Sequence, residues 1–115
     1  MKPQGHLEKA KAFEDRSKRW ESDKDAPSVI EDIFDAIVHY TAYGINIKYG
    51  KDIDSHSKQK KFLRTNNEIV VFHAYENIEF LRMKSVYGGG WNGERIREAR
   101  IHLEAIKKWL ETIGE

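Results

Sequence analysis

The stretch IEDIFDAIVHYTAYGI, residues 30–45, decides the fold. Ile30, Ile33, Phe34, Ile37, Val38, Thr41, Ala42 and Ile45 recur at steps of three and four. That period gathers them on one face of an α-helix. Gly44 sits inside the pattern, where glycine costs roughly 1 kcal/mol relative to alanine. Close approach of another helix is the expected reason for it. Pro27 suits the first turn of this helix, and Tyr49-Gly50 its stop.

Helical periodicity continues outward on both sides. Before SDKDAP, a helix is expected from about Gly5 to Asp23, with Leu7, Ala10, Phe13, Ser17 and Trp20 on one stripe. After Gly50, Asp54 or Ser55 can cap a short helix through Arg64. Asn66 or Asn67 can cap the next, whose buried stripe is Val70, Val71, Ala74, Tyr75, Ile78 and Leu81. Gly88-Gly89-Gly90 cannot continue that helix. With Asn92 as cap, a final helix carries Ile96, Ala99, Leu103, Ile106, Leu110 and Ile113 as a heptad seam. EIVVF is the one β-like run, and it lies inside a helical period. The expectation is an all-α, antiparallel bundle of four main helices with a short fifth, one domain over residues 1–115.

Composition narrows the function. Twenty Lys and Arg face nineteen Asp and Glu, a net charge of +1, so contact with a polyanion has to come from a local patch. There is no cysteine, which removes disulfides, thiolate catalysis and Cys-based zinc sites. No apolar run approaches the roughly 18–20 residues that span a bilayer, and cytoplasmic residence without membrane contact is expected. His39 and His73 lack companions at metal-ligand spacing and read as core or boundary residues. No metal or cofactor is called for.

Two stretches are candidate phosphate binders. Between Lys48 and Arg64 the cations Lys48, Lys51, Lys58, Lys60, Lys61 and Arg64 face only Asp52 and Asp54, with His56 among them. The other is Arg82 to Tyr87, which runs through the three glycines towards a helix N-terminus. It lacks the lysine and hydroxyl spacing of a P-loop. Solvated helix faces account for the same charges without a ligand.

With its helices placed, the chain resembles the HEPN superfamily, small four-to-five-helix bundles of prokaryotes, from about Trp20 to Leu110. The likeness rests on YGINIKYG at 43–50, on DSHSKQKKFL at 54–63, and on Tyr75 followed by LRMKSVYGGG at 81–90. Ser55-His56 and Arg82 with Tyr87-Gly88 stand where the family carries its short motifs. The resemblance implies a homodimer, an association with nucleotides or RNA, and a small nucleotidyltransferase as partner. Active members are ribonuclease toxins with an Arg-x(4–6)-His motif at the dimer interface.

Arg95 or Arg97 with His102 fits that spacing. A histidine there would act as general base towards a ribose hydroxyl, and an arginine would stabilise charge on the phosphate. Seven residues bring Arg95 and His102 to nearly one azimuth, whereas Arg97 diverges from His102 by about 140°. Active members usually place an Asn, Asp or His directly after the arginine; here Glu98 follows Arg97 and Ile96 follows Arg95. The expectation is therefore a dimeric nucleotide- or RNA-associated accessory protein. The alternatives are a metal-independent endoribonuclease toxin of a toxin–antitoxin pair and a purely structural interaction module.

Overall fold

The computed structural model describes residues 2–20, 26–88 and 93–113. Among them are five helices and no strand: α1 (Pro3–Trp20), α2 (Ala26–Tyr49), α3 (His56–Thr65), α4 (Ile69–Gly88) and α5 (Gly93–Ile113). The second helix is the axis of this all-α bundle, and the other four pack against it. Its apolar face is wider than a surface helix needs. Val29, Ile30, Ile33, Ala36, Ile37, Ala42 and Ile45 are fully buried, and Phe34 and Tyr40 nearly so. Pro27 occupies the first turn, as its locked φ favours. Gly50 closes the helix with a φ of 71°, its N–H donating to the Asn46 carbonyl at 2.8 Å.

At Gly44 the helix α5 lies close against α2. A Cβ built there would lie 2.6 Å from Trp109 Cη2 and 2.7 Å from Leu110 Cδ2. The missing side chain lets the indole rest on backbone. On α5, Ile96, Ala99, Leu103 and Ile106 are buried as the seam predicts, and Leu110 and Ile113 pack at its margin. Trp109, outside that seam, joins the core.

Three expectations need correction. Asn66 and Asn67 do not cap α4; they end α3. Asn67 takes a φ of 59°, its N–H reaches the Arg64 carbonyl at 3.3 Å, and the Glu68 N–H reaches the Leu63 carbonyl at 2.9 Å. This is a Schellman closure, and asparagine tolerates its left-handed residue better than most side chains. The Glu68 carbonyl accepts the first bond of α4, from Phe72 N–H at 2.8 Å. Ser55 precedes α3 but makes no side-chain cap bond, its hydroxyl lying 3.1 Å from that of Ser57. Val70 is 72% exposed, because the α4 stripe centres on Val71, Ala74, Tyr75, Ile78 and Leu81. The expected first helix ran to Asp23, which lies outside the described residues, as does Asn92.

Buried polar side chains tie the helices together. Gln59 of α3 is fully buried; its amide donates to the carbonyls of Val38 at 3.0 Å and Ile53 at 2.8 Å, and accepts from Tyr75 Oη at 2.9 Å. Glu14 of α1 accepts from Tyr40 Oη at 2.6 Å and from Lys107 Nζ at 3.0 Å. Burial works to raise the Glu14 carboxyl, but the Tyr40 hydroxyl and Lys107 ammonium outweigh it and hold the group below its ordinary range.

The tight α2–α5 approach makes Gly44→Ala a sharp test. Overpacking against Trp109 should cost about 2 kcal/mol, more than the helix propensity that alanine gains. The urea midpoint should fall with m unchanged; an unchanged or raised midpoint would show that α5 yields without cost.

Candidate functional site

Helix α3 presents its cations on one flank because Lys60, Lys61 and Arg64 fall within about 100° of each other around the axis. With Ser57 and Thr65 they line an open cleft of about 530 Å³ whose far wall is Phe72 and Glu76 of α4. Leu63 and Gln59 anchor the opposite side of α3 in the core. That anchoring turns the basic flank outward. The cleft is not purely cationic, since Lys60 also pairs with Glu79 at 3.0 Å. Lys58 is exposed on another flank and does not belong to the lining.

His56 and Arg82, expected separately as phosphate contacts, meet at one aromatic ring instead. His56 packs edge-on to Phe34 with centroids 5.8 Å apart, and the Arg82 guanidinium lies 4.7 Å over the same ring. Each also has an acidic partner: Arg82 Nε donates to Glu31 at 2.6 Å, and His56 Nδ1 lies 3.6 Å from Glu79. The Arg82 charge is thus answered within the chain. Tyr87 falls in the last turn of α4, and its side chain lies outside the described residues.

The Arg–His motif of α5 divides as helix geometry requires. Arg97 is exposed and pairs with Glu94, one turn back on its own helix. Arg95 is half-buried. His102 is largely covered, 15% exposed at the side chain, with Nε2 at 3.9 Å from Glu98 and without a hydrogen bond among the described residues. Burial lowers its proton affinity and Glu98 only partly restores it, which favours the neutral imidazole. The Nε2 atom is enclosed by the protein, and Arg97 is turned away from it.

Composition and spacing missed an acidic group on α2, between Arg16 and Arg82. Asp35 of α2 has its carboxyl pushed up to about 6 by burial, then by Glu31 and Asp32, against the pull of Arg82 and Arg16. The i−4 and i−3 carboxylates were a visible signal; the burial was not.

Compared with protein-family models, with curated proteins and with solved structures, the chain matches none. No helix among the described residues is long and apolar enough to cross a membrane.

Asp35 carries a pH signature. Its folded value lies above the ordinary 3.8, so ionisation opposes folding: the penalty is absent below about pH 3.8 and complete above about pH 6. Asp35→Asn should raise Tm by roughly 4 °C at neutral pH and leave it unchanged near pH 4. An equal effect at both pH values would show that Asp35 ionises without penalty.

Proposed function

We propose that this chain is a HEPN-like, antiparallel helical bundle acting as a dimeric accessory protein that contacts RNA or a nucleotide through the α3 cleft. The observation that carries this reading is the convergence of Lys60, Lys61 and Arg64, with the Ser57 hydroxyl, on one concave surface in a chain of net charge +1. Concentrated cations on a near-neutral protein are a local electrostatic footprint for phosphate. Phe72 offers the cleft one aromatic edge, too little for a stacking platform, so backbone contact is the mode expected.

A second copy is the proposed primary partner, and a small nucleotidyltransferase the proposed client of the dimer. The outward faces of α4 and α5 support self-association. Ile69, Phe80 and Met83 fall within about 60° around α4, all exposed, and Ile101 on α5 is 65% exposed. Val70 borders a cleft of about 480 Å³ with Ala105 and Trp109 between the same two helices. Apolar side chains grouped in this way mark an interaction surface more often than scattered ones.

Binding of a fluorescently labelled single-stranded RNA should weaken with salt from about 50 to about 200 mM. In Lys61→Gln/Arg64→Gln the slope of log K against log salt should be smaller by about 1.4, two phosphate contacts at 0.7 each. An identical slope in the variant, or affinity indifferent to salt, would leave the cleft without a role in RNA contact.

A metal-independent endoribonuclease is the second reading, motivated by His102, whose proton affinity is lowered and whose Nε2 has no hydrogen-bond partner among the described residues. For the accessory protein the expected result is a dimer in sedimentation that leaves RNA intact in EDTA. Cleavage that disappears in both His102→Ala and a monomeric Ile101→Lys variant would transfer the assignment to the nuclease.

A further inference from the structure

Three histidine and carboxylate side chains far apart in sequence form a continuous chain where α1 meets the end of α2. His6 Nδ1 lies 3.0 Å from His39 Nδ1, and His6 Nε2 lies 3.3 Å from Asp52 Oδ1. His6 is 1% exposed, so these two neighbours must satisfy its ring. The carboxylate only accepts, which requires His6 to carry its proton on Nε2. In the neutral pair His6 Nδ1 is then an acceptor, and His39 must donate from its own Nδ1. Two facing lone pairs at that distance would repel. The chemistry of the contacts therefore leaves His39 Nε2 with a lone pair.

His39 lines a cleft of about 370 Å³, together with Lys9, Ala12, Phe13, Arg16 and Arg19. Every charged lining residue is a cation, unlike the α3 cleft with its Glu76. Arg16 is held in place by Asp32, with Nε at 3.0 Å and Nη2 at 2.7 Å from Oδ1, and by the Phe13 ring 5.0 Å away. Those bonds leave its Nη1 donors uncommitted to Asp32. Phe13 is already stacked by His39 at 5.8 Å and covered by Arg16, so a nucleobase finds no platform. Lys9, Arg16 and Arg19 bring N–H donors and no acceptor, so beyond the lone pair of His39 a metal cation finds no ligand among the lining side chains. An oxyanion fits both facts.

We infer that the α1–α2 cleft is a phosphoryl-binding site, in which Lys9, Arg16 and Arg19 hold the oxyanion and His39, backed by His6 and Asp52, supplies a proton-coupled hydrogen bond. The coupling follows from the order of donors. A proton taken up from solvent at His39 Nε2 gives that ring an Nε2–H for the ligand, while its Nδ1–H stays on His6 Nδ1, which Asp52 holds in the accepting tautomer through Nε2. No bond to the ligand forms or breaks. Without ligand, burial, then His6 and Lys9, lower the proton affinity of His39, and Asp54 opposes them. Arg16 and Arg19 add positive charge at the mouth, while Asp32 is committed to Arg16 and Asp35 lies one turn back on the same helix. A bound dianion reverses that balance. The site is separate from the α3 cleft and does not depend on the RNA reading.

Sulfate is the suitable probe, since it stays a dianion across the pH range in which histidine titrates. By calorimetry at constant ionic strength, its affinity should be roughly tenfold higher near pH 5.5 than near pH 8, and the NMR titration midpoint of His39 should rise by about one pH unit on saturation. Lys9→Gln/Arg19→Gln should weaken binding at least tenfold, whereas Lys61→Gln/Arg64→Gln should not alter it. Methyl phosphate should displace sulfate at fixed pH. In His39→Gln residual binding should lose its pH dependence. The midpoint is read on the unmodified protein, so it stands even if a variant misfolds. A His39 midpoint unmoved by sulfate, pH-independent affinity, or equal affinity in Lys9→Gln/Arg19→Gln would each overturn the inference.

Discussion

Trp109 resting on the bare backbone at Gly44 sets the distance between α2 and α5, and much of the molecule follows from that distance. At this approach the α5 seam, Ile96, Ala99, Leu103 and Ile106, joins the α2 residues in one buried core. Interiors pack at crystal-like density, so an added methyl group has to displace something. The close approach also brings Lys107 within reach of Glu14, which Tyr40 already holds. That buried carboxylate then links α1, α2 and α5 at one point. A buried charge of this kind is tolerable only when its lone pairs are answered, as they are here.

Because α2 is enclosed, polar groups on its flanks are forced to find partners on neighbouring helices. Asp32 takes Arg16 from α1, and Glu31 takes Arg82 from α4. His39 takes His6 from α1. Asp35, between the first two pairs, has no cation at hydrogen-bonding distance among the described residues and carries the electrostatic cost. The concentration of titratable chemistry along one side of α2 is thus a consequence of its burial.

Cations were the visible part of the candidate site, and the structure sorted them by partner. Lys60, Lys61 and Arg64 share a cleft because they share a flank of α3, which the 100° step foretells. Lys58, only two residues from Lys60, leaves the group for the same reason. Arg82 and His56 were singled out as short motifs, but their meeting at Phe34 required the packing of three helices. Asn67 shows the limit of local signals, since an asparagine between two helices reads equally as the end of one or the start of the next. The left-handed backbone at Asn67 decides for the end of α3.

By itself the sequence determined the helices: their period, their glycine and proline punctuation, and the apolar stripes that bury them. These are local properties, written within a few turns of chain. Tertiary structure alone decided which polar residues meet. His6 and His39 are 33 residues apart, and His6 and Asp52 are 46 apart. No periodicity encodes such a meeting. It arises where two buried faces are brought into register, and the polar side chains at their edges must then satisfy each other or remain unpaired.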